Sequence, residues 1–381
     1  MPIPFSKPRV LEQTLEKLRI TLNQSSTAGG GLQTISCQNQ LTQLGHGRWA
    51  LLTGSATSAL EMSAILCDLK PGDEVIMPSY TFVSTANSFV LRGAVPVFVD
   101  IEIDTQNLDT SLIEKAITSK TRAIVVVHYA GVSVDMRSVK KIADAYGLMV
   151  IEDAAQGIGA KYEGALLGSI GDLGCLSFHS TKNLSSGEGG ALLINNPNLL
   201  DRAEIIWEKG TNRKNYSLGK VDKYTWVDIG SSFLPSEVTG ALISEQLEEL
   251  TSITDYRKNC WQTYQNAFMS ESEVFSAIHL PSPKIYNDFN AHMYQLIMPS
   301  REFRDQFIKK MFDREITVAS HYVPLHSSPA GRRFGRAVGD LPVTNLVSDR
   351  LVRLPMWSDL GLPQESIVGA TLESVKELFH D

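Results

Sequence analysis

One stretch decides the fold, an apolar strand-like run followed by a turn, which reads Leu173-Gly174-Cys175-Leu176-Ser177-Phe178-His179-Ser180-Thr181-Lys182-Asn183. A lysine at the mouth of a buried strand is partly desolvated, and desolvation lowers the pKa of an amine. A neutral amine is a nucleophile towards aldehydes. The pattern therefore predicts that Lys182 is a reactive group in a pocket at a strand end.

A second apolar run, residues 148–153, ends in the carboxylate of Asp153. Pyridoxal phosphate requires a lysine for its Schiff base and an acid against its ring nitrogen. Each residue alone has an ordinary explanation, because an Asp at a strand end often caps a helix and most lysines are solvated. Together, Lys182 and Asp153 predict a pyridoxal phosphate enzyme in which both are catalytic.

A third segment predicts the site of the cofactor phosphate. Residues 49–53 read as a strand, and the small residues 54–58 lead into a helix. Small side chains let the backbone approach an anion, and a helix N-terminus offers free N–H groups with partial positive charge. Small residues are also found at strand-to-helix turns that bind no anion. In a doubly wound sheet, however, ligands gather at the carboxyl ends of the strands, where all three segments would meet.

Size, charge and cysteine content exclude several classes. The chain has 381 residues, and its net charge of −7 with no basic stripe argues against nucleic acid or an anionic membrane as the main partner. Four widely spaced cysteines suggest neither a zinc site nor a disulfide framework, so we expect no metal and a reducing cytoplasm. We also expect neither secretion nor membrane insertion, because no signal peptide or membrane-spanning run is evident.

The order of apolar runs predicts two domains. Strand-like and helix-like segments alternate from residue 50 to about 194, which is typical of a mostly parallel α/β sheet. Residues 10–23 read as an amphipathic helix before a loop at 24–31, and residues 235–255 read as one long helix. We predict a cofactor-binding large domain at 1–250 and a smaller α+β domain at 251–381. The segment at 292–298, a helix near 304–313 and a strand-like run at 317–319 indicate this small domain.

Several ordered motifs resemble one known family. They include Pro78-Ser79-Tyr80-Thr81-Phe82, Val127-His128-Tyr129-Ala130-Gly131, Glu152-Asp153-Ala154-Ala155-Gln156, Thr181-Lys182-Asn183, Lys209-Gly210-Thr211-Asn212-Arg213 and Pro324-Leu325-His326. The chain resembles the DegT/DnrJ/EryC1/StrS sugar-nucleotide aminotransferases. The resemblance spans nearly the whole chain and implies the aspartate aminotransferase-like fold type I, an α/β fold with a mostly parallel sheet in the large domain.

The resemblance implies specific cofactor contacts. Phe82 would stack on the ring, and the Gln156 side chain would meet the ring hydroxyl. Ser177 and the turn Ser55-Ala56-Thr57 would bind the phosphate. Asn212 would reach the cofactor of a neighbouring subunit, which implies a homodimer with shared active sites. From the residues alone, Phe82 also fits a core aromatic, and Ser177 and Asn212 fit backbone caps.

The resemblance also implies a substrate site, built from Thr27, His128, Tyr129, Arg213, Tyr322 and His326. From the residues alone, a lone histidine is more often a core or surface group, and Arg213 lies in a basic run that could be solvated. The most similar branch is the dTDP-4-amino-4,6-dideoxygalactose transaminases. That branch implies transfer of an amino group from glutamate to dTDP-4-keto-6-deoxyglucose, for lipopolysaccharide or enterobacterial common antigen.

Other functions remain open on the sequence. Ser180 stands where that branch carries an acidic residue, so the sugar could instead be a 3-keto sugar nucleotide. A non-catalytic, cofactor-binding regulatory protein would keep the same fold, although it would have no need for the complete residue set. A lyase or desulfurase would need a mobile cysteine, for which Cys175 in mid-strand is poorly suited.

Overall fold

A computed structural model describes residues 2–9, 11–24, 26–284, 286–361 and 363–380. Within these ranges the strands are β1 Trp49–Thr53, β2 Glu74–Pro78, β3 Val95–Val99, β4 Thr121–Val127, β5 Met149–Asp153, β6 Lys161–Tyr162, β7 Ala165–Leu166, β8 Leu173–Ser177, β9 Gly190–Ile194, β10 Asn287–Asp288, β11 Tyr294–Ile297, β12 Arg336–Ala337 and β13 Leu351–Leu354.

The α-helices in the same ranges are α1 Glu12–Leu22, α2 Leu32–Gln43, α3 Ala56–Leu66, α4 Val83–Val90, α5 Ile113–Ala116, α6 Met136–Tyr146, α7 Leu200–Trp207, α8 Arg213–Ser217, α9 Glu237–Glu248, α10 Leu250–Ser270, α11 Arg301–Asp313, α12 Pro329–Phe334, α13 Pro342–Arg350 and α14 Pro363–His380. No helix in the described part of the chain is long and apolar enough to cross a membrane.

The central element is an eight-stranded sheet in the order β1-β9-β8-β5-β4-β2-β3-β12. β9 runs antiparallel to both of its neighbours, and the remaining pairs are parallel. Its inner strands are mostly apolar and buried, because helices cover both faces of the sheet. The predicted α/β class with a mostly parallel sheet is confirmed.

Two apolar clusters fill the two faces of this sheet. Leu41 of α2 and Ile243 of α9 pack in one cluster, and Leu60 of α3 packs in the other. Each buried side chain of this size contributes about 1.5–3 kcal/mol to the free energy of unfolding. This two-sided burial fixes the strand ends that build the site.

A third cluster forms a separate layer around the antiparallel pair β11 and β13. It includes apolar residues of α10, α11 and α14, and Ile3 packs against it. The N-terminal segment is attached to this layer because Ile3 forms a parallel bridge with Ile316. β12 instead joins the central sheet beside β3. The two-domain division at residue 250 stays a prediction. Two segments do not follow it, because Ile3 packs against the third cluster and β12 pairs with the central sheet.

Several helices begin or end at residues other than those predicted. The single helix predicted at 235–255 is wrong: α9 and α10 meet at Glu249, whose φ of −93° and ψ of 9° interrupt the helix. α11 begins earlier than predicted because the Ser300 hydroxyl caps it, accepting the Phe303 N–H at 3.1 Å. α1 begins at Glu12, and Val10, the first residue of the predicted helix, lies outside the described residues.

Candidate active site

One edge of the central sheet collects the site. The carboxyl ends of β1, β5 and β8 meet there with the first residue of the antiparallel strand β9. The pairing register places Gly190 opposite both Thr53 and Ser177. A cavity of about 640 Å³ opens at this edge. Its wall includes Ser55, Ala56, Thr57, Phe82, Asp153, Gln156, Ser177, Lys182 and Tyr322.

The first residues of α3 form an anion cradle on one wall of the cavity. Ser55 caps the helix, its hydroxyl accepting the Ser58 N–H at 3.1 Å. Gly190 packs directly against this turn, and a Cβ there would lie 2.4 Å from the carbonyl carbon of Ser55. Only a glycine lets β9 approach so closely. The turn therefore presents a helix N-terminus to the cavity, which suits a phosphate.

Asp153 ends β5 and is buried. Its Oδ2 accepts the Thr85 hydroxyl at 2.7 Å, and its Oδ1 accepts the Ala155 N–H at 3.2 Å. Burial raises the pKa of the Asp153 carboxyl, although both hydrogen bonds oppose this. A protonated ring nitrogen placed against this carboxylate would restore its charged form.

Lys182 lies in the turn after β8, where its backbone N–H donates to the His179 carbonyl at 2.9 Å. Burial lowers the pKa of Lys182 to about 8, although the nearby Asp153 opposes the shift. An amine with this pKa is partly neutral near pH 7. It can therefore attack an aldehyde and later accept or return a proton.

Gln156 is held with its amide nitrogen towards the cavity. Its Oε1 accepts the Ala130 N–H at 2.6 Å, and its Nε2 donates to the Tyr322 hydroxyl at 3.3 Å. Ala130 has a φ of 58°, and at Gly131 a Cβ would lie 1.9 Å from Asn290 Oδ1. This constrained turn fixes the Gln156 oxygen, which leaves the nitrogen to donate to a bound hydroxyl.

Phe82 and Ser177 also face the cavity. The Phe82 ring is 57% exposed although it lies on the cavity wall, so its face is accessible to a flat ligand. Its ring centroid lies 6.5 Å from that of Tyr322. Ser177 is buried at the end of β8. The structure thus brings together the predicted cofactor residues except Asn212.

Two of the predicted substrate residues are buried behind the cavity wall. His128 is fully buried, its Nε2 lies 2.9 Å from Glu152 Oε2, and its Nδ1 accepts the Val134 N–H at 3.3 Å. The buried Tyr129 hydroxyl lies 3.3 Å from His321 Nδ1. As a correction to the sequence-based prediction, neither lines the cavity, because packing of the strand end has turned both side chains inward.

The remaining predicted substrate and partner contacts lie outside the cavity of this single chain. His326 pairs with the Ser79 hydroxyl at 2.7 Å, and Asn212 Oδ1 accepts the Thr225 N–H at 2.7 Å. Arg213 and Thr27 are exposed. Of the six predicted substrate residues, Tyr322 alone lines the cavity.

The cavity residues that the sequence analysis missed include Phe5, His292, His321 and Arg353. Burial lowers the pKa of His321 to about 2 and also lowers the pKa of His292, so both imidazoles are neutral. The His321 ring stacks on Tyr322 with centroids 3.8 Å apart. A charge within the apolar run Leu351–Leu354 was the one available signal for Arg353. The others depend on tertiary packing.

The described residues contain no group of three or more His, Cys, Asp or Glu side chains that could hold a metal ion. The donors at the cavity instead fit pyridoxal phosphate. They provide an amine of lowered pKa, a buried acid, an accessible aromatic face and a cradle closed by Gly190.

Comparison with known proteins identifies the group to which this architecture belongs. The sequence model described as the DegT/DnrJ/EryC1/StrS aminotransferase family matches residues 10–373. The chain belongs to this family. Its family and enzyme class were predicted from the sequence, and this match confirms them.

Individual proteins are similar to this chain over most of their length. An uncharacterised protein of Methanocaldococcus jannaschii is 32% identical, with 93% of this chain and 92% of that protein covered. The spore coat polysaccharide biosynthesis protein SpsC of Bacillus subtilis is 29% identical, with 99% and 97% covered. The pleiotropic regulatory protein of Geobacillus stearothermophilus is 32% identical, with 86% and 84% covered.

Solved structures of similar proteins agree with the fold. The apo form of the sugar aminotransferase Spr1654 of Streptococcus pneumoniae superimposes with a TM-score of 0.91 at 25% identity, covering 100% of this chain and 99% of that one. DesV of S. venezuelae gives 0.88 at 28% identity, covering 98% and 99%. Spr1654 is also known in pyridoxal and pyridoxamine phosphate forms. These forms confirm the predicted cofactor class.

Proposed function

We propose that this protein transfers an amino group from glutamate to the keto carbon of a nucleotide-linked deoxysugar. One observation carries the proposal: a partly neutral Lys182 and a buried Asp153 share a cavity with a helix N-terminus suited to a phosphate. The cofactor is pyridoxal phosphate. When bound, it supplies the aldehyde that receives the amino group and a ring that withdraws electrons from the reacting carbon.

Side chains of this protein carry out the proton transfer, charge stabilisation and cofactor positioning. Lys182 Nζ holds the cofactor and, once displaced by the amino donor, moves a proton to or from the substrate carbon. Asp153 keeps its negative charge against the ring nitrogen. Gln156 Nε2 and the exposed face of Phe82 orient the ring, and the Ser55 turn binds the phosphate.

The specific substrate that we propose is dTDP-4-keto-6-deoxyglucose. The product would be dTDP-4-amino-4,6-dideoxygalactose, used for a surface polysaccharide such as lipopolysaccharide or enterobacterial common antigen. The motifs shared with that transaminase branch support it, as does the similarity to SpsC, a polysaccharide biosynthesis protein. Tyr322 would contact the sugar from this chain, because its hydroxyl faces the cavity beside Gln156.

We also propose a homodimer in which Thr27, Asn212, Arg213 and His326 complete the site of the other subunit. Six large apolar side chains are exposed on one segment, namely Tyr216, Leu218, Tyr224, Trp226, Val227 and Ile229. An exposed apolar patch of this kind is typical of a protein interface. It adjoins Asn212 and Arg213 in sequence, so a second subunit bound there would bring both residues towards a partner.

One assay tests the substrate. The protein is incubated with pyridoxal phosphate, glutamate and a panel of 4-keto and 3-keto sugar nucleotides, and the amino sugar is identified by NMR. We expect amination at C4. Lys182→Ala is the control, and it should lose both turnover and the visible absorbance of the bound cofactor. Amination at C3 would reassign the sugar, and retention of both properties in the variant would refute the role of Lys182.

A second candidate is a regulatory protein that binds the cofactor without turnover, which the similarity to a pleiotropic regulatory protein favours. A single-turnover experiment with glutamate distinguishes the two functions. An aminotransferase converts its bound pyridoxal phosphate to pyridoxamine phosphate when glutamate is added. A regulatory protein would leave the cofactor unchanged with every amino acid, and it would also fail with every keto sugar.

A further inference from the structure

His292 lies on the cavity wall, although neither the proposed cofactor contacts nor the proposed substrate contacts include it. It belongs to a short segment, residues 290–292, between β10 and β11. All three residues of this segment are buried. A buried polar ring is costly unless its nitrogen atoms are hydrogen-bonded, so the partners of His292 indicate what it does.

Asn183, the residue that follows Lys182, holds the His292 ring. Asn183 Nδ2 donates to the Asn290 carbonyl at 3.1 Å, and Asn183 Oδ1 lies 2.9 Å from His292 Nδ1. Because an amide oxygen can only accept a hydrogen bond, His292 Nδ1 carries the proton of this contact. Burial lowers the pKa of His292, so the ring is neutral and stays in this one tautomer.

The segment at 290–292 is itself firmly held. The buried Arg257 of α10 fixes its backbone, because Arg257 Nε donates to the Ala291 carbonyl at 3.0 Å and Arg257 Nη2 donates to the His292 carbonyl at 2.6 Å. The Asn290 side chain donates to the Gln156 carbonyl at 2.8 Å. This segment is therefore a fixed support that contacts the turns on which two of the predicted cofactor residues lie.

The contact between Asn183 and His292 restricts Lys182. Asn183 and Lys182 share a peptide bond, so a fixed Asn183 side chain limits the backbone of the lysine. The Lys182 side chain is long and flexible, and its amine reaches a defined point only from a backbone that does not move. Proton transfer is sensitive to this geometry, since a displacement of about 1 Å can lower a rate about 100-fold.

We propose that Asn183 and His292 form a hydrogen-bonded positioning pair that holds Lys182 in place for proton transfer. Both residues act through Lys182 and are not catalytic residues themselves. Arg257 and Asn290 hold His292 against the turn of Lys182, which connects α10 to the reacting amine. The inference rests on the proposed aminotransferase function and adds the groups that position its lysine.

Single turnovers of the cofactor-loaded protein with L-glutamate separate the rate from donor binding. His292→Leu removes the Nδ1–H donor and should lower the saturating rate about 10- to 100-fold, because a displaced amine transfers the proton poorly. The half-saturating glutamate concentration should change less than about 3-fold, since the pair does not bind the donor. His292→Asn provides an amide N–H for Asn183 and should restore most of the rate. A His292→Asn protein as slow as His292→Leu would overturn the proposal.

A double-mutant cycle tests whether the two residues act as one unit. Asn183→Ala removes the acceptor for His292 and should also lower the saturating rate. The variant that combines Asn183→Ala with His292→Leu should lose no more than the slower single variant, because both changes remove the same contact. Losses that multiply would show that Asn183 and His292 act independently, which would contradict a positioning pair.

A measurement on the cofactor-free protein does not depend on turnover. Acetic anhydride labels neutral amines, and peptide mapping over a range of pH gives the pKa of Lys182, which burial lowers to about 8. Asp153 and Arg353 also act on this pKa, and both remain in His292→Leu. If Lys182 loses its position in this variant, water reaches the amine and its pKa rises towards about 10.4, which is the expected result. If Lys182 stays in place, the added apolar surface keeps its pKa unchanged or lowers it, and the proposal fails.

His46→Leu is the matched control, because His46 is a fully buried histidine outside the cavity wall. It should leave the saturating rate and the pKa of Lys182 unchanged, and a control as slow as His292→Leu would overturn the proposal. Asn183→Ala keeps the imidazole and provides the same two readouts if His292→Leu does not fold. If the unaltered protein forms no pyridoxamine phosphate with glutamate, the aminotransferase function fails, whereas the labelling of Lys182 still tests the pair.

Discussion

Burial shifts the pKa values of the two side chains that we propose as catalytic, Asp153 and Lys182, in opposite directions. It raises the pKa of Asp153 and lowers the pKa of Lys182 to about 8, because desolvation disfavours the charged form of each group. Their mutual attraction opposes both shifts. The result is an acid that gains from a protonated ring nitrogen and an amine that is already partly deprotonated near neutral pH.

The lowered pKa of Lys182 predicts how cofactor capture depends on pH. The neutral amine is the nucleophile, so the rate of capture of pyridoxal phosphate by the cofactor-free protein should rise with pH and level off above about 8. Stopped-flow absorbance measures this rate. Nα-acetyl-lysine, with an ordinary pKa of about 10.4, is the control and should still be rising there. A protein profile that followed the control would contradict the desolvated environment of Lys182.

Asp153 provides a prediction about catalysis rather than capture. Asp153→Asn keeps the size of the side chain but removes the charge that stabilises a protonated ring nitrogen. We expect the cofactor still to bind through Lys182, while the single-turnover rate with glutamate falls about 100-fold or more. Thr85→Val is the comparison, because it removes the 2.7 Å hydrogen bond to Asp153 and the 2.8 Å hydrogen bond with the Thr81 hydroxyl but leaves the charge of Asp153 in place, so it should cost much less. Equal rates in Asp153→Asn and the unaltered protein would show that this charge has no catalytic role.

At the scale of elements, the site depends on where strands end and helices begin. β1 leads into α3, and β8 leads into the turn of Lys182. β9 runs the opposite way, so its first residue, Gly190, arrives at the same edge as the ends of β1 and β8. The anion cradle is thus closed by a glycine that is distant in sequence from the turn that it supports.

Replacing Gly190 tests this closure. In Gly190→Ala the new Cβ would lie 2.4 Å from the Ser55 carbonyl carbon and 2.5 Å from the Ala56 nitrogen, so the turn must shift. Overpacking of this kind costs about 1–3 kcal/mol in unfolding free energy, and we expect cofactor affinity to fall together with the melting temperature. Gly369→Ala, on α14 and outside the cavity wall, has no atom within 4 Å of its Cβ and should lower neither. Unchanged affinity in Gly190→Ala would show that the cradle does not need this close contact.

At the scale of the whole molecule, the single chain leaves part of the predicted site unassembled. Asn212 and Arg213 lie away from the cavity, beside an exposed segment that ends in Trp226, Val227 and Ile229. Trp226 is 78% exposed. Solvation of so large an apolar surface is unfavourable, which is consistent with a second subunit covering it.

Disrupting this segment tests the homodimer. A charge in an apolar interface is costly, so Trp226→Asp should shift the mass measured by light scattering from dimer to monomer and weaken cofactor binding. Phe312→Asp is the matched control, since Phe312 is 74% exposed on α11, outside this segment. It should leave the mass and the cofactor affinity unchanged. A Trp226→Asp protein that remains a dimer with full cofactor affinity would place the interface elsewhere.

Local patterns were sufficient for the central sheet and for the residues at its strand ends. Apolar runs predicted the strand that ends in Asp153 and the strand that leads into the turn of Lys182, because strands buried on both faces are mostly apolar. The same local reasoning failed at Glu249, where the backbone breaks a helix in a sequence that contains no glycine or proline at that point. It also failed at His128, because the inward turn of that side chain depends on Glu152 of the neighbouring strand.

The amino-acid sequence by itself determined the α/β class, which follows from the periodicity of its apolar runs, and the cofactor class, which follows from residue chemistry at strand ends. The family followed from its resemblance to known motifs, and the roles of Lys182 and Asp153 stay a prediction. Only the tertiary structure decided which other side chains face the cavity. Phe5 and Arg353 are 4.5 Å from ring centroid to guanidinium carbon although the chain separates them widely. Such contacts depend on how separate layers pack, and no local pattern specifies that packing.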